Sequence, residues 1–301
     1  MENNLKKITI ISLLIATLYS SEIEYGHGSM ELKGGFLGLS GSISEDVDTV
    51  SFLQNHLNIA SSNWFYAYNL TYYSSKHLKE AQKFYNINRA QVISWLPGGS
   101  TASVFIPAMD YSIKGLDLGL SLGYDLIHKN ENNYLGLAGY VGINAPTIES
   151  KKDDKQNLPL SIDKNKLSKY FLPSKTNITT YKIGLGLYGR VSLAPTLSLY
   201  TNSILAYQRA DVDNSYAKAN FNANGLYKAL DLGLRFSPIE KDFKVLGLTL
   251  SPRLYLTTGF KLEQWDVKDF GVDVSGMGIN YSPSKMQITS KAAYMGVGYS
   301  W

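Results

Sequence analysis

The chain has 301 residues, with 29 Lys and Arg against 25 Asp and Glu, for a formal net charge of +4. A surplus that small leaves no electrostatic footprint for nucleic acid. The absence of cysteine excludes a lipid-anchoring cysteine, a disulfide framework and a Cys-ligated metal.

Residues 1–21 read as a secretory signal peptide: Lys6 and Lys7 precede a short apolar run from Ile8 to Leu18, and Ser20 and Ser21 offer small residues for cleavage. The run falls short of the ~20 residues that a spanning helix needs. Glu22–Ser29 is expected to be a short lead-in. Strands follow near 29–42, 48–60, 64–74, 84–96 and 100–108. In 84–96 neither parity is cleanly apolar, and Arg89 has no obvious side. Glu45, Asp46 and Asp48 are placed on an outer turn as solvated charge.

Downstream the pattern sharpens. In Ile113–Ile127, Leu116, Leu118, Leu120, Leu122, Tyr124 and Leu126 share one parity. Gly115, Asp117, Gly119, Ser121, Gly123 and Asp125 share the other. A greasy face opposite a face of small residues suits a strand with lipid outside and a crowded lumen inside. Tyr134–Asn144, Ile178–Leu193, Thr196–Gln208, Gly225–Ser237 and Leu246–Phe260 repeat it. The chain ends on another such strand, with Met295, Val297, Tyr299 and Trp301 on one face. No apolar run reaches spanning-helix length, so a membrane crossing must use a closed sheet.

The sequence therefore predicts an all-β fold: a transmembrane antiparallel up-and-down β-barrel of about twelve strands over residues 22–301. With Trp301 in the periplasm, the turns at Ser61–Asn63, Pro97–Gly99, His128–Asn133, Ala194–Thr196 and Pro238–Val245 fall on its side. Ser74–Lys83, Ala145–Asn177, Arg209–Asn224 and Lys261–Met286 fall outside as the longer loops. Short turns inside and long loops outside is the asymmetry of such barrels. The ending resembles the carboxy-terminal strand of Gram-negative outer-membrane proteins, with Trp301 in place of the usual Phe. That resemblance implies outer-membrane localisation and recognition by the barrel-assembly machinery through Tyr299 and Trp301.

Charged residues on inward parity are the candidate functional set: His56, Asp117, Asp125, Lys182, Arg190, Asp231, Arg235 and Arg253. In a narrow pore such charges set solute preference; alternatively they pair and fill the lumen. Asp231 and Arg253 are expected to pair across a hairpin. Gly184-Leu-Gly-Leu-Tyr-Gly189 matches a dinucleotide fingerprint in letters only, because its leucines continue a period-two strand. Asp211-Val-Asp-Asn-Ser215 departs from a calcium loop at Tyr216 and Asn222, so no metal or cofactor is expected. The lysine-rich Ala145–Asn177 loop either folds into the mouth or meets lipopolysaccharide phosphates. Gly115-Leu-Asp-Leu118, with a later strand ending in Asn144-Ala-Pro-Thr147, resembles transporters of phenol-degradation gene clusters, which implies uptake of small molecules. The expected function is a non-enzymatic channel for small solutes. A surface interaction barrel is the alternative, and a lipid hydrolase ranks last because His27 is placed before the barrel and His128 in a periplasmic turn.

Overall fold

The computed structural model describes residues 22–36, 39–59, 62–75, 78–80, 83–88, 101–106, 109–130, 132–152, 174–214, 219–238, 243–245, 248–250, 254–273 and 280–299. Its strands are β1 (Glu22–Phe36), β2 (Leu39–Asn58), β3 (Trp64–Ser75), β4 (Leu78–Glu80), β5 (Lys83–Asn88), β6 (Thr101–Ile106), β7 (Met109–Asn130) and β8 (Asn133–Asn144). They continue as β9 (Thr147–Lys152), β10 (Ser174–Ala194), β11 (Leu197–Asn214), β12 (Ala219–Phe236), β13 (Phe243–Val245), β14 (Leu248–Leu250), β15 (Leu254–Asp273) and β16 (Asn280–Tyr299).

Ten strands close into an antiparallel ring in the order β1-β2-β3-β7-β8-β10-β11-β12-β15-β16, with β16 pairing back onto β1. The barrel is thus smaller than the expected twelve strands. The two surplus segments, 84–96 and 100–108, overlap β5 and β6, which pair with each other and not with the ring. A segment with no continuous apolar parity has no face to give to lipid. β4 and β9 extend the rim by pairing with β7, and β13 pairs with β14. The expected signal peptide, the Pro97–Gly99 turn and Trp301 lie outside the described residues.

Parity decides the wall. On β7, Leu120, Leu122, Tyr124 and Leu126 are exposed, whereas Asp117, Ser121 and Asp125 are buried. On β10, Ile183, Leu185, Leu187, Val191 and Leu193 face out, and Lys182 and Tyr188 are buried inside. The exposed apolar residues form a belt around the ring. Exposed Tyr25, Tyr72, Tyr181 and Tyr207 mark its outer edge, and Trp64, Tyr124 and Phe236 its periplasmic edge. Such aromatic girdles sit at headgroup level in barrels. Among the described residues no helix is long and apolar enough to cross a membrane, so the strands make the crossing.

Inside the ring, glycines make room for rings. A Cβ on Gly233 would come within 2.6 Å of the Tyr200 ring. Gly123 and Gly136 likewise border Phe65, which is fully buried. This is the physical content of the glycine-rich inner parity read from the sequence.

The strands overshoot the membrane. Roughly ten residues cross a bilayer, yet β7 has 22 residues and β10 has 21. The excess lies at the outer end. Much of what the sequence assigns to outer loops is strand there: β11 runs to Asn214, β12 starts at Ala219, β15 runs to Asp273 and β16 starts at Asn280. The outer part holds its own core, built from Met30, Val47, Tyr73, Ile113, Tyr140, Ile178, Val212, Tyr227, Trp265, Val267 and Ile288.

Candidate functional site

Seven of the eight expected pore-lining residues face the lumen, at three heights. Arg253 lies outside the described residues. Nearest the periplasmic end, the buried Asp125 carboxylate meets His56 Nε2 at 2.9 Å, His128 Nδ1 at 3.0 Å and the Asn58 side-chain amide at 3.0 Å. A register shift between Gln54 and Leu57 accommodates His56, whose ring stacks on Tyr134 at 3.7 Å between centroids. Arg190 approaches the same Tyr134 ring, its guanidinium carbon 5.4 Å from the centroid. Phe65, Ala67, Tyr134, Ala138 and Tyr188 pack the space around them.

At mid-height, the register sets Lys261 opposite Asp231; the partner expected for Asp231, Arg253, lies outside the described residues. Asp231 instead accepts a 2.6 Å hydrogen bond from the Tyr294 hydroxyl. Lys261 bonds Glu24, and Thr257 donates to Glu22. The Arg235 guanidinium lies 3.6 Å from the Tyr255 ring centroid, and the Tyr255 hydroxyl donates to Glu22 at 3.3 Å. Asn202 reaches across the lumen to Asn55 at 2.9 Å.

Higher up, Lys182 Nζ donates to both Asp117 oxygens at 2.8 and 2.9 Å, with neither side chain more than 2% exposed. Its ammonium also lies 3.9 Å from the Tyr227 ring centroid. The Tyr227 hydroxyl donates to Glu263 at 3.0 Å. Above this level the apolar outer core takes over. Between the mid and upper levels remains a cavity of about 70 Å³, lined among others by Asn55, Asn69, Ser121, Asn202, Asp231 and Lys261.

At these three levels six carboxylates (Glu22, Glu24, Asp117, Asp125, Asp231 and Glu263) share four cations (Lys182, Arg190, Arg235 and Lys261), two histidines and several hydroxyl donors, so the lumen is a contact network with an acidic surplus. Among the described residues no group of three His, Asp or Glu is arranged to hold a metal ion. Sequence reasoning missed Glu22, Glu24, Lys261 and Glu263. The first two fall in the supposed lead-in, although Ile23 and Tyr25 alternate with them; β1 begins at Glu22. Lys261 and Glu263 fall in a supposed loop that is strand β15. The corresponding signal was the unbroken alternation, read too strictly as apolar against small.

Two further placements differ from expectation. Glu45 and Asp48 are on strand β2 and not on a turn: Glu45 is buried inside, and Asp48 faces out. His27 is on β1 and not before the barrel, and its exposed ring bonds Asp48 across the β1–β2 pair. The part of the Ala145–Asn177 loop expected to fold into the mouth lies outside the described residues.

A closed ring with a lipid-facing belt, aromatic girdles and short turns at the end that carries both Glu22 and Tyr299 defines a membrane-spanning β-barrel of the outer-membrane type. The protein resides in the outer membrane. No family model matches the chain, and no characterised protein matches it in sequence. Among solved structures it is similar to the outer membrane protease OmpT from Escherichia coli, with 8% identity, a TM-score of 0.49 and coverage of 93% of this chain and 96% of that one. It is also similar to the translocator domain of the autotransporter NalP from Neisseria meningitidis, with 12% identity, a TM-score of 0.35 and coverage of 100% and 96%. A third is the transport unit of the autotransporter AIDA-I from Escherichia coli, with 11% identity, a TM-score of 0.37 and coverage of 94% and 91%. At these scores the likeness assigns no activity.

Proposed function

We propose that the protein is a closed-lumen barrel that works at the cell surface, through its outer wall and the strand extensions above the membrane, and not as an open pore. The observation that carries this reading is the buried Asp117–Lys182 pair, braced by Tyr227 at the upper level of the lumen. Free charges on a water-filled wall would set selectivity. Here Asp117 and Glu24 are held by lysines and Asp231, Glu263 and Glu22 by hydroxyl donors, and the cavity between them is about 70 Å³. The apolar core inside the strand extensions supports the same reading, because it makes the projecting part a filled and rigid platform. Passage of small solutes is the competing function; it would require the Asp117–Lys182 and Glu24–Lys261 pairs to part.

Proteoliposomes test this directly. Vesicles carrying the refolded full chain should show no swelling in isotonic small sugars or amino acids beyond protein-free vesicles. Swelling whose rate scales with protein content would establish the solute channel instead.

A further inference from the structure

The outer wall of β1 carries a group of residues that the lumen does not use. His27 Nδ1 lies 2.8 Å from Asp48 Oδ1. The same carboxylate oxygen accepts from the Tyr25 hydroxyl at 3.0 Å. His27 is 60% exposed at its side chain, so both groups are open to the surroundings. With Nδ1 held by a carboxylate, Nε2 is the nitrogen left to take a proton. Two residues further on the same face of the strand stands Ser29. Two strand rises of ~3.4 Å separate them, so a hydrolytic role requires a bound substrate to bring the hydroxyl within hydrogen-bond reach of Nε2. The β1–β16 register sets Lys291, an exposed residue, opposite Ser29.

The height of this group on the barrel matters as much as its chemistry. Below it on β1, exposed Ile23 and Tyr25 belong to the lipid belt. Above it, the outward positions are Glu31 and Lys33, which pair with each other in water. Sideways, the register runs from His27 to Ala293 and then to lipid-facing Phe260. In the other direction it runs to Asp48, Ser74 and exposed Lys114. The group therefore sits where lipid gives way to water, beside an interfacial tyrosine, which is the depth of the acyl esters of membrane lipids. An exposed ion pair contributes little to stability, so folding does not account for an oriented imidazole there.

We propose that Ser29, His27 and Asp48 form a hydrolytic site for the acyl esters of outer-leaflet lipids. Ser29 is the nucleophile and His27 the general base. Asp48 is a positioning residue that fixes the imidazole tautomer, with Tyr25 holding Asp48. The Ser29 Oγ–H proton passes to His27 Nε2 as Oγ bonds the acyl carbon. Lys291 offers its ammonium to the oxyanion. Collapse breaks the acyl carbon–oxygen bond, and the departing lyso-lipid oxygen takes the proton from Nε2. Water then gives a proton to Nε2 as its oxygen bonds the acyl carbon; the acyl carbon–Oγ bond breaks, Oγ takes the proton back from Nε2, and the fatty acid leaves. Ester and water become alcohol and carboxylic acid, with no other reactant. The site lies on the outer wall, so its success or failure is independent of whether the lumen conducts.

The test is fatty-acid release by the refolded full chain, read in two arms: mixed phosphatidylethanolamine and phosphatidylglycerol vesicles, and purified lipopolysaccharide. Release in either arm, falling at least about 100-fold in Ser29→Ala and in His27→Ala, is expected; the arm that responds names the lipid. Asp48→Asn should lower turnover and shift its pH profile. Labelling by a fluorophosphonate, lost in Ser29→Ala, reads the nucleophile without turnover. Heat-modifiable gel mobility should stay unchanged in all three variants, because each replaced side chain is on the outer surface. Folded wild type that neither releases fatty acid nor takes the label, or release that survives Ser29→Ala, overturns the proposal.

Discussion

Removing the Lys182 ammonium would leave the Asp117 carboxylate buried without its cation. Breaking a buried pair by deleting one partner costs about 3–5 kcal/mol, most of it the desolvated charge left behind. Lys182→Ala should therefore lower the stability of the folded barrel by about that much, read from urea unfolding in lipid vesicles. Lys182→Met combined with Asp117→Asn should recover most of the loss, because the double change removes the charge as well as the pair. Equal destabilisation by the single and double variants would mean that the pair is not what fills the lumen. Gly233 provides a second residue-scale check. A Cβ there meets the Tyr200 ring at 2.6 Å, so Gly233→Leu should cost about 1–3 kcal/mol by overpacking. A neutral result would mean that Tyr200 and Tyr294 do not close on that position.

At the scale of the strand, the outward face of β10 makes the membrane assignment testable. Leu187 lies midway between Tyr181 at the outer girdle and Leu193, and it is exposed. Arginine on the lipid face near the midplane costs about 2–4 kcal/mol, so Leu187→Arg should destabilise the barrel by that amount. Glu31→Arg, on β1 above the belt, should stay within about 0.5 kcal/mol. If the two variants behave alike, the belt is misplaced. The same strands explain what the sequence made legible. Where leucine alternates with glycine, as in β7 and β10, local periodicity alone locates the strand and its lipid face. Where the inner residues are ions, as at Glu22 and Glu24 in β1 or Lys261 and Glu263 in β15, the same alternation reads as loop. Those charges are tolerable because partners on other strands bond them, Lys261 to Glu24 and hydroxyls to Glu22 and Glu263, and pairing between residues far apart in sequence leaves no local trace. His27 was passed over although Ser29 stands two residues on in the sequence, a local signal that was legible; what the sequence did not show is that β1 is a strand with Asp48 opposite. The overcount of strands arose because β5 and β6 have hairpin character without a lipid face.

At the scale of the molecule, a ring of ten strands encloses paired ions below and an apolar core above, and its strands continue past the lipid belt. Closure gives every barrel strand two neighbours and removes exposed edges, while filling the lumen removes the route through it. On the proposed reading, function falls to the outer wall and the platform, where exposed side chains meet lipid and solution. Single-channel recording in a planar bilayer tests that account most directly. At high loads of refolded protein, the membrane should stay sealed, without uniform conductance steps. Steady, reproducible steps of one size would contradict the closed lumen and return the protein to the pore-forming class.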